Sequence, residues 1–212
     1  MAESHVFTSD VDFKIRLSYS DFSKLSLNYP KKFVRFVYCI GYSESRLFAN
    51  RPLNPNFRNP GTWQYWKLFC ACTSDSPKIR YCPVFKGSTK NLKDRVNNKI
   101  DLLERLRKKG IWLVDSGIVG INNLPRKQRE EIIAISWNNY VKSLIKKSNP
   151  RYVICIGKTA WDVLEDKFKQ IGIRDYNYVY QPQAHLASAK REKEHKKLQR
   201  ICSSCGLFWN IC

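Results

Sequence analysis

GIWLVDSGIVG, residues 110–120, decides how this chain is read. A basic, helix-like run precedes it and stops at Gly110. Four apolar residues, Ile111 to Val114, then follow without a break. A short apolar run with such flanks is the pattern of a strand buried in a parallel sheet. Asp115, Ser116 and Gly117 stand at the carboxyl end of that predicted strand. Open α/β sheets bind ligands just beyond such ends, so the Asp115 carboxylate is a candidate to touch a substrate. The same residue also suits a plain turn or cap opening the next loop.

Outward from this stretch, strand, loop and helix repeat. KFVRFVYCIG (32–41) is strongly β-prone and reads as the first core strand. Residues 42–61 hold three prolines and no sustained period, a loop of a length that usually carries function. TWQYWKLFCAC (62–72) reads as a helix with Thr62 as N-cap and Trp63, Trp66 and Phe69 or Cys70 at helical spacing. An irregular segment rich in Lys, Ser and Pro (73–96) runs into NLKDRVNNKIDLLERLRKKG (91–110). That is an amphipathic helix, with Leu102, Leu103 and Leu106 inward and Lys and Arg outward. Downstream, a helix is expected from about Pro125 to Lys147, closed by Asn149-Pro150. Then come a strand at 152–156, a tight turn at Gly157 and a helix, and a strand at 177–180, a loop at 181–188 and a last basic helix. The pattern predicts a single α/β domain over 33–212, its mainly parallel central sheet covered by helices on both faces. Residues 1–32, with scattered aromatics, read as an N-terminal helical arm.

Charge is the loudest global signal: 38 Lys and Arg against 18 Asp and Glu, a formal +20. Such an excess favours a polyanion, and nucleic acid is the default partner. An anionic membrane is the weaker alternative, since no basic helix carries a clean, large apolar face. No apolar run approaches the ~20 residues of a membrane span, and the N-terminus lacks the order of a secretory signal. An intracellular, cytoplasmic protein, held at the nucleoid through DNA and acting as a monomer, is expected. Among eight cysteines, Cys39 and Cys155 sit in apolar runs and read as reduced core thiols. Cys70, Cys72 and Cys82 form one loose group, and Cys202, Cys205 and Cys212 another. Their spacing fits a zinc site poorly, so reduced thiols and no metal or cofactor are expected.

Three loops leaving three strand ends, at Gly41, Asp115 and Gln181, resemble the uracil-DNA glycosylase superfamily, its mismatch-specific thymine/uracil branch most of all. The resemblance runs over roughly residues 34–200 and rests on order and spacing. Gly41-Tyr42-Ser43-Glu44 stands where the family has a Gly-x-Asn-Pro type motif, and Gln64-Tyr65-Trp66-Lys67-Leu68-Phe69 resembles its following helix. Gly110 to Asp115 is similar to the second strand, and PRYVICIGKTAWDVL (150–164) to the Pro-x-hydrophobic-hydrophobic-Gly-Lys-x-Ala unit. Gln181-Pro182-Gln183-Ala184-His185-Leu186 stands in place of the final His/Asn-Pro-Ser motif and its wedge leucine. The chain departs from the family in having Ser43 at the water-positioning residue, Gln181 at the third-motif His or Asn, and one extra residue before Leu186. Its cysteines do not match those of the iron–sulfur branches.

The resemblance implies a monofunctional DNA N-glycosylase that flips a base and hydrolyses its N-glycosidic bond, leaving an abasic site. It implies DNA as partner, double-stranded with a flipped base or single-stranded. Catalytic candidates are Glu44, for orienting water and stabilising charge on the sugar, Ser43, for holding that water, and Asp115. Base-binding candidates are Tyr42, Phe48 and Leu53 for stacking, with Asp115 and Gln181 for the base edge. An ionised aspartate only accepts hydrogen bonds; it repels uracil O4 and welcomes the amino group of a cytosine. A cutter of plain cytosine would destroy its host genome. The expected substrate is therefore a modified cytosine, as in foreign, phage-type DNA, which suggests a defence role. His185 and the wedge Leu186 would lie on DNA, with Arg126, Lys127, Lys158, Lys190 and Arg191 gripping phosphates. Each has an ordinary alternative: Glu44 as a loop acid paired with Arg46 or Arg51, Gln181 as a turn residue, Lys158 as a solvated helix start. Two other functions stay open: a non-catalytic nucleic-acid-binding protein on the same scaffold, and a uracil or mismatch repair glycosylase. An enzyme of free nucleotides would not need +20.

Overall fold

The computed structural model describes residues 1–4, 10, 14, 16, 39–41, 44, 63–73, 82–121, 124–181 and 186–205. Four strands, β1 (Ala2–Ser4), β2 (Asp115–Gly117), β3 (Val153–Ile156) and β4 (Tyr176–Val179), form one sheet in the order β2-β1-β3-β4. Every described pairing is parallel. Ala2 lies opposite Asp115 and Ile156, and Ile156 opposite Val179, so these four residues share one row across the sheet. The helices are α1 (Trp63–Thr73), α2 (Leu92–Lys108), α3 (Arg126–Ser136), α4 (Lys142–Ser148), α5 (Lys158–Gln170) and α6 (Ser188–Cys205). A π-helical turn, Trp137–Val141, joins α3 to α4.

Strand β3 shows why the sheet needs helices on both sides. Ile154 and Ile156 point to one face, where they join Val179, Cys39, Ile40 and the apolar sides of α1, α2 and α6. Val153 and Cys155 alternate to the other, against Ile133, Trp137, Val141, Leu164 and Phe168 of α3, the π turn and α5. Two apolar faces at period two are the mark of a strand covered twice. The mainly parallel, helix-covered α/β arrangement expected from the repeat is therefore present.

Four expectations need correction. Ala2–Ser4, read as the start of a helical arm, is a strand lying between β2 and β3. Three residues suffice there because both neighbours are available for main-chain pairing; Ile156 N, for one, donates to Met1 O at 2.7 Å. The first core strand expected at 32–41 lies outside the described residues except for 39–41, which enter a turn closed by Glu44 N donating to Gly41 O at 3.1 Å.

The second correction concerns the opening stretch. The strand is Asp115–Gly117, not Ile111–Val114. Gly110 takes a positive φ of 64°, and the end of α2 folds back on itself: Gly110 N donates to Arg107 O and Ile111 N to Leu106 O. This six-to-one closure takes the Ile111 amide away from any strand ladder. Asp115 thus opens β2 instead of following it.

Third, the α2 lysines and arginines do not all face outward. Arg95 and Lys99 are buried on the same side as Leu102 and Leu106, at successive helical turns. Fourth, Cys70 and Cys82 are joined by a disulfide, their Cα atoms 6.1 Å apart, where reduced thiols were expected. Cys39 and Cys155 are buried free thiols, as expected, and burial pushes the Cys155 thiol up to about 11.

The other elements follow their local signals. Asn91 caps α2, its side chain accepting from Lys93 N and Asp94 N. Asn149, left-handed at φ 42°, ends α4. Along the outer border of β4, Lys197 Nζ donates to Tyr178 O at 2.7 Å, and Tyr180 N donates to Glu194 at 3.3 Å. Among the described residues no helix is long and apolar enough to cross a membrane, and no group of three His, Cys, Asp or Glu is placed to hold a metal.

Candidate functional site

In the order β2-β1-β3-β4, the connections run one way from β1 to β2 and the other way from β3 to β4. The order therefore reverses between β1 and β3, and in open α/β sheets the crevice outside the carboxyl ends at such a reversal is where ligands bind. The described residues at that end begin with Gly157 and Lys158 after β3 and Tyr180 and Gln181 after β4.

Gly157 sets the geometry. Its φ of 115° favours glycine, and a Cβ there would lie 2.9 Å from both Cγ and Nε2 of Gln181. Only a hydrogen in that place lets the Gln181 side chain lie across the turn. Gly157 N also donates to Val179 O at 2.9 Å, tying the two strand ends together. Immediately beyond, Lys158 starts α5, where the partial positive charge of the helix N-terminus adds to its own. Lys158 pairs with Asp162, and Arg126 Nη2 reaches the other oxygen of that carboxylate at 2.9 Å while its Nε binds Glu130 at 2.7 Å. Two cations of the expected phosphate-gripping set are thereby held side by side.

On the far side of β4, α6 adds more. Lys190 Nζ lies 4.7 Å from the Tyr180 ring centre and Lys197 Nζ 4.9 Å from that of Tyr178. Arg191 Nη2 donates to Leu186 O at 3.1 Å, fixing the backbone of the expected wedge residue. Lys67 of α1 approaches Arg191: burial first, then this like charge, lowers its proton affinity. His195 is lowered in the same way, by burial and then by Lys67. Cations that disfavour one another are relieved by an anion set among them.

Glu44 stands in a different environment. Its side chain is 2% exposed, and both oxygens are bound: Oε1 by Arg95 Nε at 2.9 Å and Lys99 Nζ at 3.3 Å, Oε2 by Arg95 Nη2 at 2.8 Å. Lys99 Nζ also donates to Ile40 O at 3.0 Å, and Arg95 Nη1 to Thr89 O and Lys90 O. Burial alone would raise the Glu44 carboxyl, but the Arg95 hydrogen bonds and the two positive charges outweigh it and hold it low. Burial brings Lys99 down to about 8 despite its carboxylate partner. The cluster fastens the Gly41–Glu44 turn to α2 and carries more positive than negative charge. Neither Arg46 nor Arg51, both outside the described residues, is needed to explain Glu44.

Of the expected site residues, Arg126, Lys158, Gln181, Leu186, Lys190 and Arg191 gather around the carboxyl ends of β3 and β4 and the start of α6. Lys127 is exposed on α3. Among the described residues Asp115 and Gln181 lie at opposite borders of the sheet; with three spacings of about 4.8 Å between their strands and Gln181 two residues past the row of Asp115, their main chains are roughly 16 Å apart. Tyr42, Ser43, Phe48, Leu53 and His185 lie outside the described residues. Sequence reasoning passed over Arg95 and Lys99, although their four-residue spacing in line with Leu102 was a usable signal. It also passed over Tyr176, Tyr178 and Tyr180, whose strict alternation puts them on one face of β4.

The described residues form a mixed α/β arrangement, a small parallel sheet with helices on both faces and basic side chains along the carboxyl ends of β3 and β4. Compared with known proteins, the chain matches no family model, no curated protein and no solved structure.

Proposed function

We propose that the chain engages DNA along the carboxyl edge of β3 and β4 and acts there as a monofunctional DNA glycosylase. The observation that carries the DNA half is the placing of Arg126 and Lys158 at the start of the helix after β3, and of Lys190 and Arg191 on the far side of β4, along the carboxyl ends of these two strands. On a chain of net +20, such a cluster suits a string of phosphates. The glycosylase half rests on the resemblance of its motifs to the uracil-DNA glycosylase superfamily. In the reaction the C1′–N bond breaks, the base leaves with the bonding pair, and water supplies hydroxide to C1′ and a proton to the base.

The residues divide the work as follows. Lys158, Arg126 and the start of α5 hold phosphate, Gln181 presents its amide at the turn, and Leu186 sits at the start of the basic helix as the wedge. Glu44 has both oxygens committed to cations in a cluster of positive sign, which opposes a developing positive charge on the sugar. Its role is to fasten the chain at Gly41 and Glu44 to α2. Asp115 is then the carboxylate assigned to the sugar or base, and the preference for a modified cytosine, with a defence role against foreign DNA, follows from it.

The locking of Glu44 also favours a second reading, a DNA-binding protein of the same architecture without catalysis. The deciding experiment measures base release from DNA carrying uracil, cytosine, thymine opposite guanine, hydroxymethylcytosine or its glucosylated forms, with alkaline cleavage of abasic sites. Release at a modified cytosine alone, lost in Asp115→Ala, is expected. Release at uracil would keep the activity and overturn the role given to Asp115. No release from any substrate, with salt-sensitive binding intact, establishes the second reading.

A further inference from the structure

Strand β4 and the residue after it carry tyrosines at 176, 178 and 180, and α5 and α6 bring an indole and three ammonium groups to them. Tyr178 and Tyr180 have ring centres 5.7 Å apart, Trp161 lies 5.1 Å from Tyr178 and 5.8 Å from Tyr176. Lys158 Nζ stands 5.9 Å from the Tyr178 centre, with Lys197 and Lys190 over Tyr178 and Tyr180 at the distances given above. All four aromatic residues are partly exposed, and Lys158 and Lys190 are exposed.

We propose that this strip of tyrosines and lysines is a stacking platform for single-stranded DNA, running from the carboxyl edge along β4. Rings supply a face that any base can cover, and the lysines supply charge for the intervening phosphates, the two components of sequence-tolerant single-strand binding. The Tyr178 and Tyr180 rings meet edge to face, at 68° to one another, so bases laid on them would be splayed apart, as a single strand allows and a duplex does not. An exposed ammonium–ring contact is weaker than base-on-ring stacking. A base can therefore replace the Lys190 ammonium on Tyr180 and leave that charge to a phosphate. Lys197 has a different part, since its ammonium is also bound to Tyr178 O and stays with the strand. Gly157, Lys158 and Gln181 adjoin the strip, so a strand bound on it leads directly to the crevice. The inference rests on the DNA-directed reading above but not on catalysis.

The test uses the full chain and labelled oligo-dT, an equal-length duplex and poly-glutamate as competitor, read by fluorescence anisotropy over a salt series. Tyr178→Leu/Tyr180→Leu keeps apolar bulk and removes both rings; it is expected to weaken oligo-dT binding about tenfold or more and to leave duplex binding within about twofold. Lys158→Gln/Lys190→Gln is expected to lower the logarithmic salt slope for oligo-dT by about 1.4. Circular dichroism checks that each variant is folded; a misfolded pair is replaced by Tyr180→Leu alone, with the same expectation for one ring. Unchanged oligo-dT binding in a folded tyrosine variant overturns the proposal, as does an equal loss on the duplex. Competition by poly-glutamate as strong as by oligo-dT overturns it too, for then charge alone is being read. Base release measured on the wild type separates the two readings: binding lost with the rings supports the platform even where no base is released.

Discussion

At the scale of single residues, the Glu44–Arg95–Lys99 cluster makes the sharpest demands. Removing one member of a buried ion cluster strands the others without compensation, which typically costs about 3–5 kcal/mol. Glu44→Gln should lose that much stability in urea titration. Because the Glu44 carboxyl is held below its ordinary range, its contribution is present above about pH 4.5. That contribution is lost as pH falls through the lowered value, so wild type and variant should converge in acid. Lys99 works the opposite way. Its ammonium titrates near 8 in the folded chain and near 10.5 when unfolded. Between those values the unfolded chain binds the extra proton, so this residue makes stability rise with pH. Relative to Lys99→Met, the wild type should gain on the order of 3 kcal/mol from pH 8 to 10.5, and nothing below 7. A difference that is flat across that window would show that Lys99 is not held as described.

At the scale of elements, the turn from β3 into α5 is the place to intervene. Gly157→Ala meets two obstacles, a φ of 115° and the Gln181 side chain 2.9 Å from the new methyl. The backbone strain alone is worth about 1–3 kcal/mol. Adding Gln181→Ala should recover only the steric part, so thermal melts of the single and double variants separate the two costs. This turn was legible in advance because GKTAW follows an apolar run and glycine announces itself. So were α1, α2, α5, β3 and β4, whose periods are long or cleanly bounded. Asp115 was misplaced for a reason of scale. A strand's ends are set by its partner's register, and three residues near the N-terminus that look like nothing in isolation supply that partner. Arg95 and Lys99 were misassigned because charge was weighed before helical position. The Cys70–Cys82 bond was hidden because connectivity among eight cysteines is not written in their spacing.

For the molecule as a whole, the +20 charge acts in two directions. Like charges repel within the folded chain, and salt screens them over about 30 Å at 0.01 M but about 8 Å at 0.15 M. Melting temperature should therefore rise by a few degrees between those salt concentrations, while affinity for DNA falls steeply over the same range. Calorimetry and anisotropy on one preparation check both signs together. Opposite trends are expected; a melting temperature that falls with salt would mean that attractive pairs such as Arg126–Asp162 outweigh the net repulsion.

The side chains that hold the outer main-chain groups of β4 bear on how such molecules coexist. A bare strand border invites an extended segment from another copy to add itself. Here an incoming segment would first have to evict a lysine from Tyr178 O and a glutamate from Tyr180 N. Growth of the sheet from one copy into the next is thereby opposed along this border by side chains of the same molecule.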